Sequence, residues 1–356
     1  MIPQWKKKFN NKEILKNFNI NLKKKYISQS EITKRLENKI SKFLNVKYVL
    51  AVPSGTVALL ISLMSLGLKN NDEIVISDRA WVSVINVVNI LGLKAKFVDV
   101  EVDRPIINLD ELKKKITKNT RAIITIHMGG RFCDMNKLIK FAKNKKIHVI
   151  EDAAQAFGCK YKKKFIGTQS DIGCFSMSIA KTISSGQGGF VVTNRKDLYK
   201  KLLKIKNNGL KNIKTINKWG ALGLNFKFSD ILASIALTEL KKFNYYKKKL
   251  ISLYKLYEEG LRKTKNVKLI PVNIKNGEIP QYIEIISNNR KKLYKYLTKK
   301  NIDIRLFYPS MSEHNNLKSN CKNSLVFSKK GVYLPSGPDQ NKKDIIKVIK
   351  EINLFT

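Results

Sequence analysis

The sequence has few residues of the kinds that build metal sites or disulfide frameworks. Its 356 residues include four cysteines and three histidines. Cys133, Cys159, Cys174 and Cys321 lack the close spacing of a zinc site or a disulfide scaffold. The histidines are too few and too scattered for a metal cluster. We therefore expect no metal site, and a reducing, cytoplasmic location.

Acidic residues and arginine are also scarce, so that lysine dominates the charge. The chain has 27 Asp and Glu against 70 Lys and Arg, a formal net charge of +43, and nine of the basic residues are arginine. Nucleic-acid sites tend to use clustered arginine forks, whereas these lysines are spread over most polar segments. The pattern favours solvated faces over nucleic-acid binding. A polyanion-binding surface stays open as the alternative.

A long, uninterrupted apolar run is missing as well. Residues 49–68 carry no charge, but the sequence PSGT at 53–56 interrupts them. A strand, a turn and a helix explain this stretch better than a membrane span. The first residues, MIPQWKKKFNNKE, contain no apolar signal-peptide core. We expect no membrane partner.

Short apolar strands alternate with helical segments through the first half of the chain. Strands are predicted at 48–52, 73–77, 95–100, 121–126, 147–152, 172–176 and 189–193, and helices at 31–44, 56–67, 80–92, 109–117 and 134–145. Such alternation is typical of a mostly parallel α/β sheet with helices on both faces. Ligands of these sheets bind at the carboxyl ends of the strands.

The pattern changes after residue 194. We predict a basic helix at 196–206, an irregular loop at 207–228 and one long helix from Ser229 to about residue 260. Strands near VKLIP and QYIEII, a helix at 289–300 and the segment IRLFYP then indicate a smaller α/β unit. We expect a large domain at 1–240, whose first 30 residues are weakly patterned, and a small domain at 241–356.

Lys181 stands out among the many lysines. It lies between a short strand and a glycine-rich turn, and no other charged residue occurs between Asp171 and Arg195. A lysine held in a dry pocket of small residues loses its proton readily and becomes a nucleophilic amine. Schiff-base chemistry requires such an amine. Taken alone, the segment also fits an exposed loop lysine.

Asp152 ends the apolar strand of HVIEDAAQAFG. A carboxylate at a buried strand end needs a partner, and a protonated heterocyclic nitrogen is one; pyridoxal phosphate (PLP) has such a nitrogen. Gln155 follows closely enough to reach a ring hydroxyl. A helix N-cap is the alternative role for Asp152.

Two further strand ends carry candidate ligand-binding groups. The PSGTVALL stretch predicts a helix N-terminus at which Ser54, Thr56 and backbone N–H groups bind one phosphate, although an ordinary capped helix fits too. Trp81 follows the strand at 73–77 and is suited to stack on a planar ring, or to pack in the core. Ser176 offers one more hydroxyl.

Five features, taken in their order along the chain, resemble the DegT/DnrJ/EryC1/StrS sugar aminotransferases. They are SGTVALL, the aromatic Trp81, IEDAAQAFG, DIGCFS with its lysine and SGQGG, and GLNFKFSDILASIALTEL. The resemblance covers roughly residues 26 to 350. It implies a PLP enzyme of the aspartate-aminotransferase type (fold type I), with a mostly parallel seven-stranded sheet and a smaller C-terminal α/β domain. It also implies a homodimer that uses glutamate as amino donor for a nucleotide-linked keto sugar.

The resemblance also implies roles for the site residues. Lys181 would form the internal aldimine and move the proton, Asp152 would pair with the pyridine nitrogen, Gln155 would lie near the ring oxygen and Trp81 would cover the ring. The residues expected to bind the phosphate are Ser54, Gly55, Thr56 and Ser176. Some relatives have histidine in place of the lysine and are dehydratases, so Lys181 favours transamination.

Four more residues are substrate or partner candidates by the same resemblance. Asn225 would reach the phosphate of the cofactor in the neighbouring subunit. Arg305 and Tyr308, in NIDIRLFYPSM, would lie near the sugar and nucleotide. Gln187 stands where the family commonly has glutamate, which keeps a polar contact and removes a charge.

We therefore expect a PLP-dependent aminotransferase that acts on a keto sugar by a ping-pong mechanism. Two alternatives stay open. The first is the same chemistry on a smaller keto substrate, such as a phosphorylated ketone or a cyclitol, because the motifs bind the cofactor and not the acceptor. The second is a non-catalytic, polyanion-binding regulator on the same fold, which the net charge of +43 motivates.

Overall fold

The chain folds into a large, mostly parallel sheet between helices and a smaller antiparallel sheet. The computed structural model describes residues 1–25, 27–210, 220, 222–316 and 320–355. The helices of the first 260 residues are α1 (Asn11–Lys23), α2 (Glu31–Leu44), α3 (Gly55–Ser65), α4 (Ser83–Ile90), α5 (Leu109–Lys115), α6 (Met135–Asn144), α7 (Lys196–Lys206), α8 (Asp230–Lys241) and α9 (Phe243–Gly260). The strands are β1 (Tyr48–Val52), β2 (Glu73–Ser77), β3 (Lys94–Val98), β4 (Thr120–Ile126), β5 (His148–Asp152), β6 (Lys160–Tyr161), β7 (Lys164–Phe165), β8 (Ile172–Ser176) and β9 (Gly189–Thr193).

The large sheet has seven strands in the order β1-β9-β8-β5-β4-β2-β3. Neighbours are parallel from β8 through β5, β4 and β2 to β3, and β9 runs antiparallel to both β1 and β8. This confirms the predicted α/β fold with a mostly parallel, seven-stranded sheet.

Both faces of this sheet are buried, which is why its strands are nearly continuous apolar runs. Successive side chains of β2 alternate between the faces: Ile74 and Ile76 join the core beneath α3, α4 and α7, and Val75 joins the core beneath α2, α5 and α6. Because most strands run the same way, their carboxyl ends meet at one edge. Asp152 ends β5 and Ser176 ends β8 at that edge.

The second sheet consists of β10 (Val267–Leu269), β11 (Ile283–Ser287), β12 (Arg305–Leu306) and β13 (Gly331–Leu334). Its order is β10-β11-β13-β12 and every pairing is antiparallel. The accompanying helices are α10 (Arg290–Lys299), α11 (Lys322–Lys330) and α12 (Lys342–Leu354). Ile2 is buried in this core and pairs with Ile302, so the start of the chain packs against the small sheet.

Several predicted boundaries were wrong in detail. The single helix expected from Ser229 to about residue 260 is two helices, because Lys242 (φ −89°, ψ 1°) interrupts the regular backbone between α8 and α9. The two helices serve different neighbours: α8 packs on α1 and α2, whereas α9 continues to the small core. The helix expected from residue 80 begins at Ser83. The weakly patterned first 30 residues contain α1.

The proposed division at residue 240 remains a prediction. Within α9, Leu250 belongs to the large core and Tyr254 to the small core. Residues 211–219 and 221 of the predicted loop at 207–228 lie outside the described residues. Among the helices described, none combines the length and the apolar character needed to cross a membrane. The described His, Cys, Asp and Glu side chains form no group of three or more that could hold a metal ion.

Candidate active site

A cleft of about 380 Å³ opens where the carboxyl ends of the parallel strands face the small sheet. All but one of the site residues predicted from the sequence line it. They are Ser54, Gly55, Thr56, Trp81, Asp152, Gln155, Ser176, Lys181, Gln187, Arg305 and Tyr308. The exception is Asn225, which is exposed and pairs with Asn207 outside the cleft.

One end of the cleft is the N-terminus of α3. Ser54 caps this helix, and its hydroxyl oxygen accepts a hydrogen bond from the Val57 N–H at 3.1 Å. The hydroxyl proton of Ser54 and the N–H groups of Gly55 and Thr56 remain available to an anion. No acidic residue occupies that turn, so the positive end of the helix dipole is not neutralised.

The floor beneath this helix terminus is built from closely approaching backbone. A Cβ on Gly189 would lie 2.5 Å from the Ser54 carbonyl carbon, and one on Gly55 would lie 3.0 Å from the Ser176 Cβ. The chain therefore uses glycine where β9 passes under the turn that follows β1. This approach brings Ser176, at the end of β8, beside the α3 terminus.

Asp152 lies in the cleft at the end of β5. Its residue is 7% exposed, and its Oδ1 accepts a hydrogen bond from the Ala154 N–H at 3.0 Å. Burial raises the pKa of this carboxyl, and the positive charge of Lys181 opposes that rise. A buried carboxylate of this kind calls for a cationic or proton-holding partner in the cleft.

The preceding residue, Glu151, anchors the same strand end. Its buried carboxylate accepts bonds from the Gly167 N–H at 2.7 Å, from the Gln169 N–H at 2.9 Å and from Ser170, and it lies 3.1 Å from His127 Nε2. Although burial raises its pKa, these contacts outweigh burial, and the pKa is lowered overall. Glu151 thus stays ionised and fixes the position of Asp152.

Lys181 occupies a loop between β8 and β9, as the sequence predicted. Burial lowers the pKa of its amine to about 8, and the Asp152 carboxylate opposes that shift. The amine also lies 6.0 Å from the centre of the Tyr282 ring. With this pKa, roughly a tenth of the amines is neutral and nucleophilic at pH 7, far more than for an exposed lysine.

Two side chains complete the walls of the cleft near Asp152 and Lys181. Gln155 Oε1 accepts a hydrogen bond from the Gly129 N–H at 2.8 Å, which leaves its amide group free to donate. Trp81 is 47% exposed and therefore is not a core residue. It meets Tyr308 edge to face at 5.4 Å, and the Arg305 guanidinium lies 5.7 Å from its ring centre.

Among the cleft residues that sequence reasoning missed are Gln4, Tyr282 and Tyr333. Tyr282 precedes a strand that the sequence did predict, and its hydroxyl donates to the Ala180 carbonyl at 3.1 Å. The pattern of apolar residues around Tyr282 predicts the strand, but it does not indicate the contact between Tyr282 and Ala180. Gln4 reaches the cleft because residues 2 to 6 run along the small sheet.

The residues present fit PLP. The helix terminus with Ser54, Thr56 and Ser176 suits a single phosphate, Asp152 suits a protonated ring nitrogen, and Lys181 supplies an amine of lowered pKa. Gly55 and Gly189 keep Cβ atoms out of the phosphate end of the cleft.

Comparisons with known proteins agree with this fit. The model of the DegT/DnrJ/EryC1/StrS aminotransferase family matches residues 9–353. A relative from Escherichia coli O157:H7, named GDP-perosamine synthase, is 30% identical over 343 residues, which cover 92% of this chain and 91% of the relative.

Two solved structures support the fold. DesV of S. venezuelae, in complex with a ketimine intermediate, has a TM-score of 0.92 at 22% identity, covering 97% of this chain and 94% of that one. The E. coli GDP-4-keto-6-deoxy-D-mannose-3-dehydratase with bound hydrated PLP has a TM-score of 0.91 at 20% identity, covering 99% of both chains. The predicted family, cofactor and enzyme class are confirmed: the chain belongs to the DegT/DnrJ/EryC1/StrS aminotransferase family, whose members are PLP-dependent enzymes.

Proposed function

We propose that this protein transfers an amino group from glutamate to a keto carbon of a nucleotide-linked sugar, as a cytoplasmic homodimer. The observation that carries the proposal is the meeting of three features in one cleft: Lys181 with its lowered pKa, the buried Asp152 and the N-terminus of α3. The name of the E. coli relative, GDP-perosamine synthase, supports a nucleotide-linked sugar as the acceptor.

Eight residues of the cleft would hold the cofactor. Ser54, Gly55, Thr56 and Ser176 would bind the phosphate, and Asp152 would hold the proton of the ring nitrogen. Gln155 would donate its amide to the ring oxygen, and Trp81 would cover one ring face. Lys181 Nζ would form the covalent link. When bound, PLP supplies the electron sink that makes a Cα–H bond acidic.

Lys181 is the proton carrier of both half-reactions. Its Nζ takes the proton from the Cα of glutamate and, in the second half, returns a proton to the sugar carbon that gains the amine. A pKa of about 8 suits both tasks near neutral pH. Because glutamate leaves as 2-oxoglutarate before the sugar reacts, the order is ping-pong.

The mouth of the cleft provides candidate substrate contacts. Arg305 is exposed beside Trp81, and Tyr308 and Gln187 line the same cleft. A guanidinium suits a diphosphate linkage, because its donors match the phosphate oxygens in pairs. We propose that Asn225, which lies outside the cleft of its own chain, completes the phosphate site of a second subunit.

The absorption spectrum of the purified protein with PLP, before and after addition of glutamate, tests this proposal. We expect a band of the lysine-linked cofactor that shifts as the amine is transferred, and no such band in Lys181→Ala. Normal turnover by Lys181→Ala, or wild-type protein that shows no band, would overturn the proposal. Isotope-labelled glutamate and a panel of keto acceptors then separate a nucleotide sugar from a phosphorylated ketone or a cyclitol.

A further inference from the structure

The buried side chain of Lys7 contacts the loop that carries Lys181. It reaches this loop because the first residues of the chain extend the small sheet. Ile2 pairs with Ile302 and Trp5 pairs with Ser336. The Lys6 N–H then donates to the Ser336 carbonyl at 3.0 Å. These backbone bonds fix the segment just before Lys7.

The ammonium of Lys7 has three acceptors. It donates to the carbonyl oxygens of Lys181 at 3.2 Å and of Thr182 at 3.0 Å, and it forms an ion pair with Glu239. The side chains of Lys7 and Glu239 are 1% and 0% exposed. A neutral amine has only two protons to donate, so this set of acceptors requires the charged form. Burial lowers the pKa of Lys7, and Glu239 opposes that shift.

The partners of Lys7 tie the loop to two helices. Glu239 lies on α8 and accepts a hydrogen bond from the Tyr246 hydroxyl of α9 at 2.9 Å. The Lys7 ammonium lies 4.5 Å from the centre of the Tyr246 ring, a distance at which a cation is attracted to the ring face. One buried charge thus joins the start of the chain, the α8–α9 junction and the loop.

The carbonyl of the preceding loop residue, Ala180, accepts hydrogen bonds from two residues that lie just before β11. Gln281 Nε2 and the Tyr282 hydroxyl donate to the Ala180 carbonyl at 2.8 and 3.1 Å. Three successive carbonyls, those of residues 180 to 182, therefore accept bonds from side chains outside the loop. Lys7 donates to two of them, the carbonyls of Lys181 and Thr182, which follow the Cα of Lys181 in the chain.

We propose that Lys7 is a positioning residue, which holds the backbone of Lys181 so that its amine is aimed into the cleft. This inference rests on the proposed role of Lys181. The action is geometric, because the shifted pKa of Lys181 arises from burial and Asp152 and not from Lys7. A lysine at this position does more than stabilise the fold: it sets the rate at which Lys181 reacts.

Three variants separate positioning from stability. Lys7→Met keeps the length of the side chain but leaves Glu239 as an unpaired buried charge, so it loses stability as well as the carbonyl contacts. Lys7→Met/Glu239→Gln removes both charges and restores much of the stability, without restoring the two contacts to the loop. Lys8→Met is the matched control, because the Lys8 side chain is exposed.

The readouts are the melting temperature, amide hydrogen exchange of peptides from 177–186 in cofactor-free protein, and the rate of PLP linkage to Lys181. We expect faster loop exchange and linkage slowed by about 10- to 100-fold in both Lys7 variants, with the melting temperature recovered only in the double variant. Lys8→Met should match the wild type in all three measurements.

Wild-type loop exchange in the double variant, or wild-type linkage at a recovered melting temperature, would refute the positioning role. If the wild-type protein itself does not link PLP, the proposed function fails instead, and the exchange measurement on cofactor-free protein still decides the inference on Lys7.

Discussion

Asp152 and Lys181 line the same cleft and shift each other's pKa in opposite directions. Burial raises the pKa of the Asp152 carboxyl, whereas the Lys181 charge lowers it. Burial lowers the pKa of Lys181 to about 8, whereas the Asp152 charge raises it. Each group therefore partly offsets the desolvation of the other in the cofactor-free cleft.

Asp152→Asn removes the carboxylate that supports the Lys181 charge. We expect the pKa of Lys181 to fall below its value of about 8, because only desolvation then acts on it. The pH dependence of amine labelling at Lys181 in cofactor-free protein, followed by peptide mass mapping, measures this shift. Transamination should fall by about 100-fold or more, since the ring nitrogen loses its partner. An unchanged or raised pKa of Lys181 would contradict the coupling.

Asp171→Asn should change how stability depends on pH. Burial raises the pKa of Asp171, but hydrogen bonds from His148, the Val149 N–H and Arg195 outweigh it and hold the pKa at about 2, below its usual 3.8. The stabilisation is therefore present above about pH 4 and is lost as the pH falls towards 2. We expect the variant to lose about 1–2 kcal/mol of unfolding free energy near neutral pH, allowing for partial exposure.

Urea unfolding of the wild type and Asp171→Asn at several pH values checks this expectation. The difference in unfolding free energy between the two proteins should shrink between pH 4 and pH 2 as the wild-type carboxylate becomes protonated. A difference that stays constant over this range would mean that the Asp171 charge contributes nothing to stability.

Gly189→Ala should disturb the phosphate end of the cleft. The added Cβ would lie 2.5 Å from the Ser54 carbonyl carbon, so the turn before α3 has to move. We expect a loss of about 1–3 kcal/mol in unfolding free energy and weaker binding of PLP. Thermal melting and equilibrium titration with PLP measure the two effects. Wild-type affinity for PLP would show that the turn tolerates the displacement.

Lys181→Ala and Asn225→Ala should complement each other if the active sites are shared between subunits. A mixed dimer then contains one site with both native residues, and random exchange of subunits restores roughly a quarter of the wild-type activity. Neither variant alone should be as active as the mixture. The measurement is the transamination rate after the two variants are unfolded and refolded together. No gain on mixing would show that Asn225 does not complete the active site of a second subunit.

The strands of the large sheet were predictable because the apolar runs that mark them are local features of the sequence. The strand EIVIS at 73–77 has three consecutive apolar residues at its centre, Ile74 to Ile76, which indicates burial on both faces. The carboxyl ends of parallel strands meet at one edge, so the sequence could place Asp152 and Ser176, which follow two such strands, at the same edge of the sheet. Lys181 was recognisable because a stretch without other charges surrounds it.

The contacts made by the ends of the chain were not predictable in this way. Residues 1 to 8 show no periodic pattern, because a single extended segment at a sheet edge buries few side chains. Lys7 resembles its neighbours Lys6 and Lys8 in the sequence, yet it alone reaches the Lys181 loop and Glu239. The end of α8 at Lys242 was not predictable either, because no glycine or proline marks it in the sequence.

The sequence by itself determined the strands, the order of the motifs and the chemical types of the site residues, because apolar runs and strand ends are local features. The tertiary structure alone decided that Lys7 holds the loop of Lys181, and that burial lowers the pKa of both lysines. Burial and charge–charge distance set these properties, and both arise from residues far apart in the chain.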